Sequence, residues 1–227
     1  MKKKILITGS KGLIGSSLVN YYKNKFNIIK LDIYDNEDLT NEKFVENFFK
    51  KNKNIFAVIN AHGLNSVPVN YRKKKIEPID IKITEINDFI NHNLISNYLI
   101  CINYIKNNKK GRLININTMY SKFAPRHQIY KKLKHPGYSI SKGALGSMTK
   151  YFGTYYAPNF LINEVTLGGV HQKNLDKKFL NNFNKNVPMS RMMNLNEFYP
   201  AFDFLLDENN TYTVASEIVI DGGYLSW

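Results

Sequence analysis

Cysteine is almost missing from this chain. Cys101 is the single one among 227 residues, which excludes an intramolecular disulfide framework and a cysteine-rich zinc site. That scarcity fits a reducing compartment, and a cytoplasmic protein is expected. Long apolar runs are lacking too, so no segment is expected to span a membrane. Met1-Lys2-Lys3-Lys4 opens like a signal peptide, but Ile5-Leu6-Ile7 stops at Thr8-Gly9, too short for the apolar core of one. The five histidines show no metal-ligand spacing, and no metal is expected. No Ser-His-Asp nucleophile elbow is present. Internal repeats and low-complexity linkers are absent as well.

Acidic residues are few: 18 Asp and Glu face 32 Lys and Arg, a net charge of +14. The excess is spread along helices and loops and forms no stripe interleaved with aromatics. It therefore reads as compositional bias, and neither a nucleic-acid nor a membrane partner is expected. Hydrophobic residues make up 43% of the chain, enough to bury a core and to exclude global disorder.

Strand and helix signals alternate from end to end. Residues 3–7 read as a buried strand, 8–15 as a glycine-rich turn, 14–25 as a helix and 27–33 as a second strand. Asp38-Leu39-Thr40 opens the next helix, with Thr40 as its N-cap. Strands are expected at 55–60, 112–117, 160–166 and 217–220. A polar loop covers about 64–83 and a helix about 84–107. A long helix starts near Gly137 and ends before Pro158. Apolar strands joined by helical crossovers form a parallel sheet covered on both faces. The reading is one doubly wound α/β domain over residues 1–227, with a basic insertion at about 119–136 and a flap at about 171–195.

The turn Thr8-Gly9-Ser10-Lys11-Gly12-Leu13-Ile14-Gly15 lies between a strand and a helix. Glycine lets backbone approach a pyrophosphate, and the helix N-terminus offers free N–H groups. In that context the turn is a candidate dinucleotide site. Asp32, at the end of the second strand, can accept hydrogen bonds from adenosine ribose hydroxyls and would repel a 2′-phosphate. NAD is therefore preferred, with NADP left open because Lys11 can meet a phosphate. Tyr138 and Lys142 stand four apart, on one helix face. A free phenol titrates near pH ~10; making it a ready base at neutral pH takes roughly 4 kcal/mol, much of which a close ammonium can supply.

In this order the motifs resemble those of the short-chain dehydrogenase/reductase family, over about residues 4–224. They are the glycine turn, Asp38-Leu39-Thr40, Asn60-Ala61-His62-Gly63, Asn93-Leu94, Tyr138-Ser139-Ile140-Ser141-Lys142 and Ile220-Asp221-Gly222-Gly223. The resemblance implies a Rossmann-type parallel sheet of about seven strands flanked by helices, and a homodimer or homotetramer. It implies that Tyr138 exchanges a proton with the substrate oxygen, that Lys142 also holds the nicotinamide ribose, and that Asn93 supports a water relay. Asp38 and Leu39 would meet adenine, and Asn60, Ala61, His62 and Gly63 would line the cofactor.

Departures are visible. Thr118 falls where the family has a serine, with the same hydroxyl capacity; Ser121 is the fallback. The family's Pro-Gly is Leu167-Gly168 here, and Gly168 and Val170 would lie near the nicotinamide carboxamide. Between Thr118 and Tyr138 lies a long segment with Lys122, Arg126, His127, Lys131, Lys132, Lys134 and His135. It is either a solvated loop or an attractor for a phosphate, carboxylate or nucleotide sugar. The segment resembles that of a subgroup linked to bacterial surface-sugar biosynthesis and flagellin modification. The expected activity is hydride transfer between a nicotinamide cofactor and an alcohol/carbonyl pair on a small, anionic or sugar-like molecule. Two alternatives stay open: a nucleotide-sugar epimerase or dehydratase that recycles its cofactor, and a non-catalytic dinucleotide-binding scaffold.

Overall fold

A computed structural model describes residues 2–65, 76–130 and 133–226. The expected loop at 64–83 falls partly outside the described residues, as do Lys131 and Lys132. Six strands, all parallel, form one sheet: β1 (Lys4–Thr8), β2 (Asn27–Leu31), β3 (Ile55–Asn60), β4 (Gly111–Thr118), β5 (Phe160–Leu167) and β6 (Glu217–Ile220). Their order is β2-β1-β3-β4-β5-β6. The helices are α1 (Leu13–Tyr22), α2 (Glu42–Lys51), α3 (Ile83–Ile90), α4 (Ser96–Asn107), α5 (Pro136–Tyr156), α6 (Lys177–Asn184) and α7 (Tyr199–Leu206).

Both sheet faces are covered. On one, Ile5, Ile7, Ile59 and Ile114 pack with Leu18 and Tyr22 of α1 and Phe202 and Leu205 of α7. On the other, Leu6, Val58 and Leu113 pack with Phe49 of α2 and Ile100 and Tyr104 of α4. Strand residues alternate between the two clusters because successive side chains point to opposite faces.

The sheet has six strands among the described residues where about seven were expected. The connection between β2 and α2 is short. There the chain spends residues 33–35 on a 3₁₀ turn and turns sharply at Asn36, whose φ is 61°. No length remains for another strand and crossover. α2 begins later than expected. The Thr40 hydroxyl donates to Asp38 Oδ1 at 2.7 Å, so Thr40 is bound into a turn, and Asn41 caps the helix by accepting from Phe44 N at 3.1 Å. α1 stops at Tyr22 rather than residue 25, and β2 at Leu31, so Asp32 lies just beyond the strand. The segment expected as one helix over 84–107 is continuous but changes pitch: a π turn over Asn91–Ile95 joins α3 to α4.

Polar side chains also cross this interior. Asn60 Nδ2 donates to Asn115 Oδ1 at 2.9 Å, and Asn115 Nδ2 donates to Thr149 Oγ1 at 2.9 Å. All three residues are buried. The ladder ties β3 and β4 to α5, the helix that carries Tyr138 and Lys142. Replacing Thr149 with valine keeps its shape but leaves the Asn115 amide unpaired. The expected loss is about 1–3 kcal/mol in urea unfolding, and Thr149→Ser, which keeps the hydroxyl, should recover most of it.

Candidate active site

β1 has β2 on one side and β3 on the other, so the crossovers reverse direction between β1 and β3. Such a switch point opens a crevice at the C-terminal strand ends. A cleft of about 410 Å³ lies there, and the ends of several strands feed it: Gly12, Leu13 and Ile14 after β1, Ala61, His62 and Gly63 after β3, Thr118 at the end of β4, and Gly168 and Val170 after β5. Tyr138 and Lys142 of α5 line the same cleft.

The glycine turn shapes its floor. Gly9 has φ 61°, and a Cβ there would sit 2.7 Å from the His62 backbone. A Cβ at Gly15 would lie 2.0 Å from the Gly9 carbonyl oxygen. The turn can therefore close only with glycine at these places. Gly12 starts α1 without any side-chain cap, which leaves the first helical N–H groups beside the cleft. An uncapped helix start next to bare backbone fits a dinucleotide pyrophosphate.

Asp32 is buried and already engaged. Its carboxylate accepts from Lys11 N at 2.7 Å and Tyr34 N at 3.1 Å, so it braces the glycine turn. Each oxygen retains a lone pair for a ribose hydroxyl. The Lys11 ammonium pairs with Asp35 rather than reaching toward a phosphate. Asp38 accepts from Thr40 N at 2.9 Å. Leu39 is buried in the core, and Asn60 is a rung of the polar ladder. Thr8, Gly9 and Gly15 shape the turn from beneath. Of the expected cofactor residues, Gly12, Leu13, Ile14, Ala61, His62, Gly63, Gly168, Val170, Tyr138 and Lys142 share the cleft lining.

Burial holds the Tyr138 phenol above its ordinary value, while a hydrogen bond with the Thr118 hydroxyl pulls it back down. The expectation that Lys142 sets this titration differs from what the geometry gives, because Lys142 Nζ donates to Ile116 O at 2.8 Å. Burial pushes Lys142 down to about 8, and Glu164, a buried carboxyl on β5, pulls it back up. Ser121 donates instead to the Thr118 carbonyl at 2.7 Å, so Thr118 holds the position beside the phenol.

Asn93 lies in the π turn, fully buried. Its Oδ1 accepts from Leu64 N at 2.6 Å; its Nδ2 donates to Leu64 O at 3.1 Å and to Ser141 Oγ at 3.0 Å. One amide thus clamps the loop after β3 to α5. Gly63 fits between them: a Cβ there would approach Asn93 Oδ1 to 2.8 Å.

Three features of the site escape a reading of the sequence. His62 is held at both ring nitrogens, Nδ1 at 2.7 Å from Thr8 Oγ1 and Nε2 at 2.7 Å from Ser96 Oγ. The Ser96 proton goes to His92 O at 2.8 Å, so the neutral ring carries its hydrogen on Nε2. A roof also covers the cleft: Tyr120 and Tyr130 from the insertion, with Leu175, Phe179, Phe183 and Met192 from the flap. Tyr130 and Phe179 rings lie 5.3 Å apart, and Arg126 donates to Asn186 Oδ1. The flap carries α6 and returns where Val170 bridges Met193. Finally, the basic cluster is dispersed. Lys122 pairs with Glu217 at 2.7 Å, Arg126 is bound to the flap, and His135 caps α5 and faces Glu85 at 3.5 Å. Lys134 enters the cleft lining. The aromatic spacing of the insertion was the available signal for the roof; nothing local foretells which lysine turns inward.

Among the described residues, no group of three His, Cys, Asp or Glu could hold a metal, and no helix is long and apolar enough to cross a membrane.

A family model described as enoyl-(acyl carrier protein) reductase matches residues 16–225. The chain is similar to post-translational flagellin modification protein A of Campylobacter coli, 23% identical over 93% of this chain and 83% of that one. It is similar to a 3-oxoacyl-(acyl carrier protein) reductase of Buchnera aphidicola, 26% identical over 92% of this chain and 82% of that one. Among solved structures, a short chain dehydrogenase of Leptospira borgpetersenii with bound NAD+ shares the fold, with a TM-score of 0.85, 24% identity, and coverage of 99% of this chain and 93% of that one.

Burial and the Lys142 and His92 charges hold His62 down at about 3, against 6.5 for an exposed histidine. Below pH 6.5 the unfolded ring takes up a proton that the folded one refuses, so this contribution to stability is present above that pH and is lost as pH falls toward 3. The loss is at most ~1.4 kcal/mol per pH unit. Urea unfolding of His62→Gln between pH 6 and 4 should show a shallower slope than the wild type; equal slopes would contradict the neutral, doubly bonded ring.

Proposed function

The chain belongs to the short-chain dehydrogenase/reductase family, and on that premise we propose that it is an NAD-dependent oxidoreductase acting on a small, sugar-like alcohol/carbonyl compound that carries negative charge. One observation carries the reading. Tyr138 and Lys142, one helical turn apart, line the same cleft as the uncapped start of α1, with the Thr118 hydroxyl on the phenol.

When bound, the nicotinamide supplies the hydride donor or acceptor. Gly12, Leu13 and Ile14 would hold the pyrophosphate, Asp32 the adenosine ribose, and Lys142 the nicotinamide ribose. Gly63, Gly168 and Val170, which line the cleft, would lie near the nicotinamide. The chain's own residues handle the proton. Tyr138 exchanges it with the substrate oxygen at its phenolic oxygen, and Thr118 keeps that oxygen oriented. Lys142, with its proton affinity brought to about 8, stands close enough to neutral pH to pass a proton on. Asn93 fixes the loop and α5 around this path and supports a water relay toward solvent. The aromatic roof keeps bulk water off the reacting atoms.

Asp32 favours NAD over NADP, since a 2′-phosphate would meet a carboxylate. The similarity to a protein named for flagellin modification, taken with the resemblance of the insertion to a subgroup linked to surface-sugar biosynthesis, supports a sugar-like substrate, as do the flat ring faces of Tyr120 and Tyr130. An oligomer across α4 and α5 is supported by Tyr98, Tyr151 and Tyr155, exposed there at 41%, 67% and 70%, next to the Tyr98–Phe152 contact that joins the two helices.

Calorimetric titration with NAD, NADH, NADP and NADPH should give tighter binding of the NAD pair, and Asp32→Ala should narrow the difference. Tyr138→Phe should retain cofactor binding and lower kcat by about 10²–10⁴-fold on whichever sugar or sugar nucleotide the wild type oxidises. Failure of all four cofactors to bind at millimolar concentration would sink the reading.

A further inference from the structure

We propose that Lys134 is the residue that selects the substrate, by pairing with a carboxylate or phosphate carried a few bonds from the reacting carbon. This rests on the oxidoreductase reading above and names the specificity contact of that site.

Lys134 stands apart from the other cations around the cleft. Its Nζ lies over the Tyr138 ring, 4.7 Å from the centroid, and 5.9 Å from that of Tyr120. Its one hydrogen bond among the described residues goes to Asn65 Oδ1 at 2.5 Å, and Asn65 lines the same cleft. All of these partners are neutral. Lys122 has Glu217, Lys11 has Asp35 and Arg191 has Glu197; no carboxylate pairs with Lys134 among the described residues. Burial alone pushes its ammonium down to about 8, and no acidic neighbour opposes that.

Lys134 is half-buried, and a cation partly withdrawn from water without a counter-charge is unfavourable until an anion completes it. Ring faces add only a weak attraction. The position decides what the anion belongs to. A group resting on Lys134 is beside the Tyr138 ring, so the same molecule can place its oxygen against the phenol. The remaining walls near Lys134, Tyr120 and Tyr130, are flat and mostly apolar, suited to the uncharged body of a compact ring or short chain. Lys142 does not fill this role, because its ammonium is already bound to the Ile116 carbonyl. Lys134 thus reads charge, and the Tyr138–Lys142 pair carries the chemistry.

The test compares matched ligands on the NAD-saturated protein by calorimetry: glucuronate and glucose 6-phosphate against glucose, and acetoacetate against acetone. At least one anion should bind tenfold or more tightly than its neutral counterpart. Lys134→Met should bring that ratio to near one, and Lys134→Arg should keep it within about threefold of the wild type. Circular dichroism and NAD affinity establish that each variant is folded. Parity of anion and neutral ligand throughout in the wild type, or a preference that survives in Lys134→Met, overturns the proposal. NAD is titrated first: if it does not bind, the oxidoreductase reading has failed, whereas NAD binding followed by parity removes the role of Lys134 alone.

Discussion

The cleft depends on how closely the turn after β1 meets the turn after β3. Gly9 lies against the His62 backbone with no room for a side chain. That approach brings Thr8 within a short hydrogen bond of the His62 ring, and His62 in turn meets Ser96 at the start of α4. From there the order propagates: Gly63 slots beside Asn93, Asn93 clamps Leu64 to Ser141, and Ser141 sits on the helix that presents Tyr138 and Lys142. A side chain at Gly9 would part the two turns and loosen each later contact. The glycine-turn floor and the Tyr138–Lys142 wall are two ends of one packing problem.

Much of this was legible in the residues. The alternation of apolar strands and helices gives a parallel sheet whatever the tertiary detail, because the periods of 2 and 3.6 are local. Glycines 9, 12 and 15 announce a close approach, and Tyr138 and Lys142 at i and i+4 must share a helix face. What the sequence hid was decided by partners distant along the chain. Thr40 is a good N-cap by type, but Asp38 captured its hydroxyl first. Lys11 suits a phosphate in isolation, yet Asp35 was within reach. The sheet has six strands among the described residues, close to the seven expected, and the stretch around Asn36 holds only a 3₁₀ turn between β2 and α2. His62 looked like a cofactor contact alone; that it also joins two turns and a helix depends on Ser96, a residue no local motif connects to it.

Electrostatics around the phenol follow a similar division. The lysine four residues on is drawn to a backbone carbonyl and feels a buried carboxyl, Glu164, from behind. The hydroxyl at Thr118 is the group that acts directly on Tyr138. In the proposed proton path the bias is shared among Thr118, Tyr138 and Lys142 rather than held by one strong pair. Burial makes such groups sensitive to any charge that enters the cleft, which is why a single unpaired ammonium over the ring matters.

The contact of Val170 with Met193 has a further consequence. The chain leaves the sheet at one residue and returns beside it at the other, so everything between is an excursion with both ends fixed at a single point. Lengthening a tethered excursion of this kind changes its closure entropy only logarithmically. Selection can therefore rewrite the flap's share of the roof, its reach and its lining, while the strands and the glycine turn below stay as they are. A lineage carrying this chain can change what it acts on faster than how it acts.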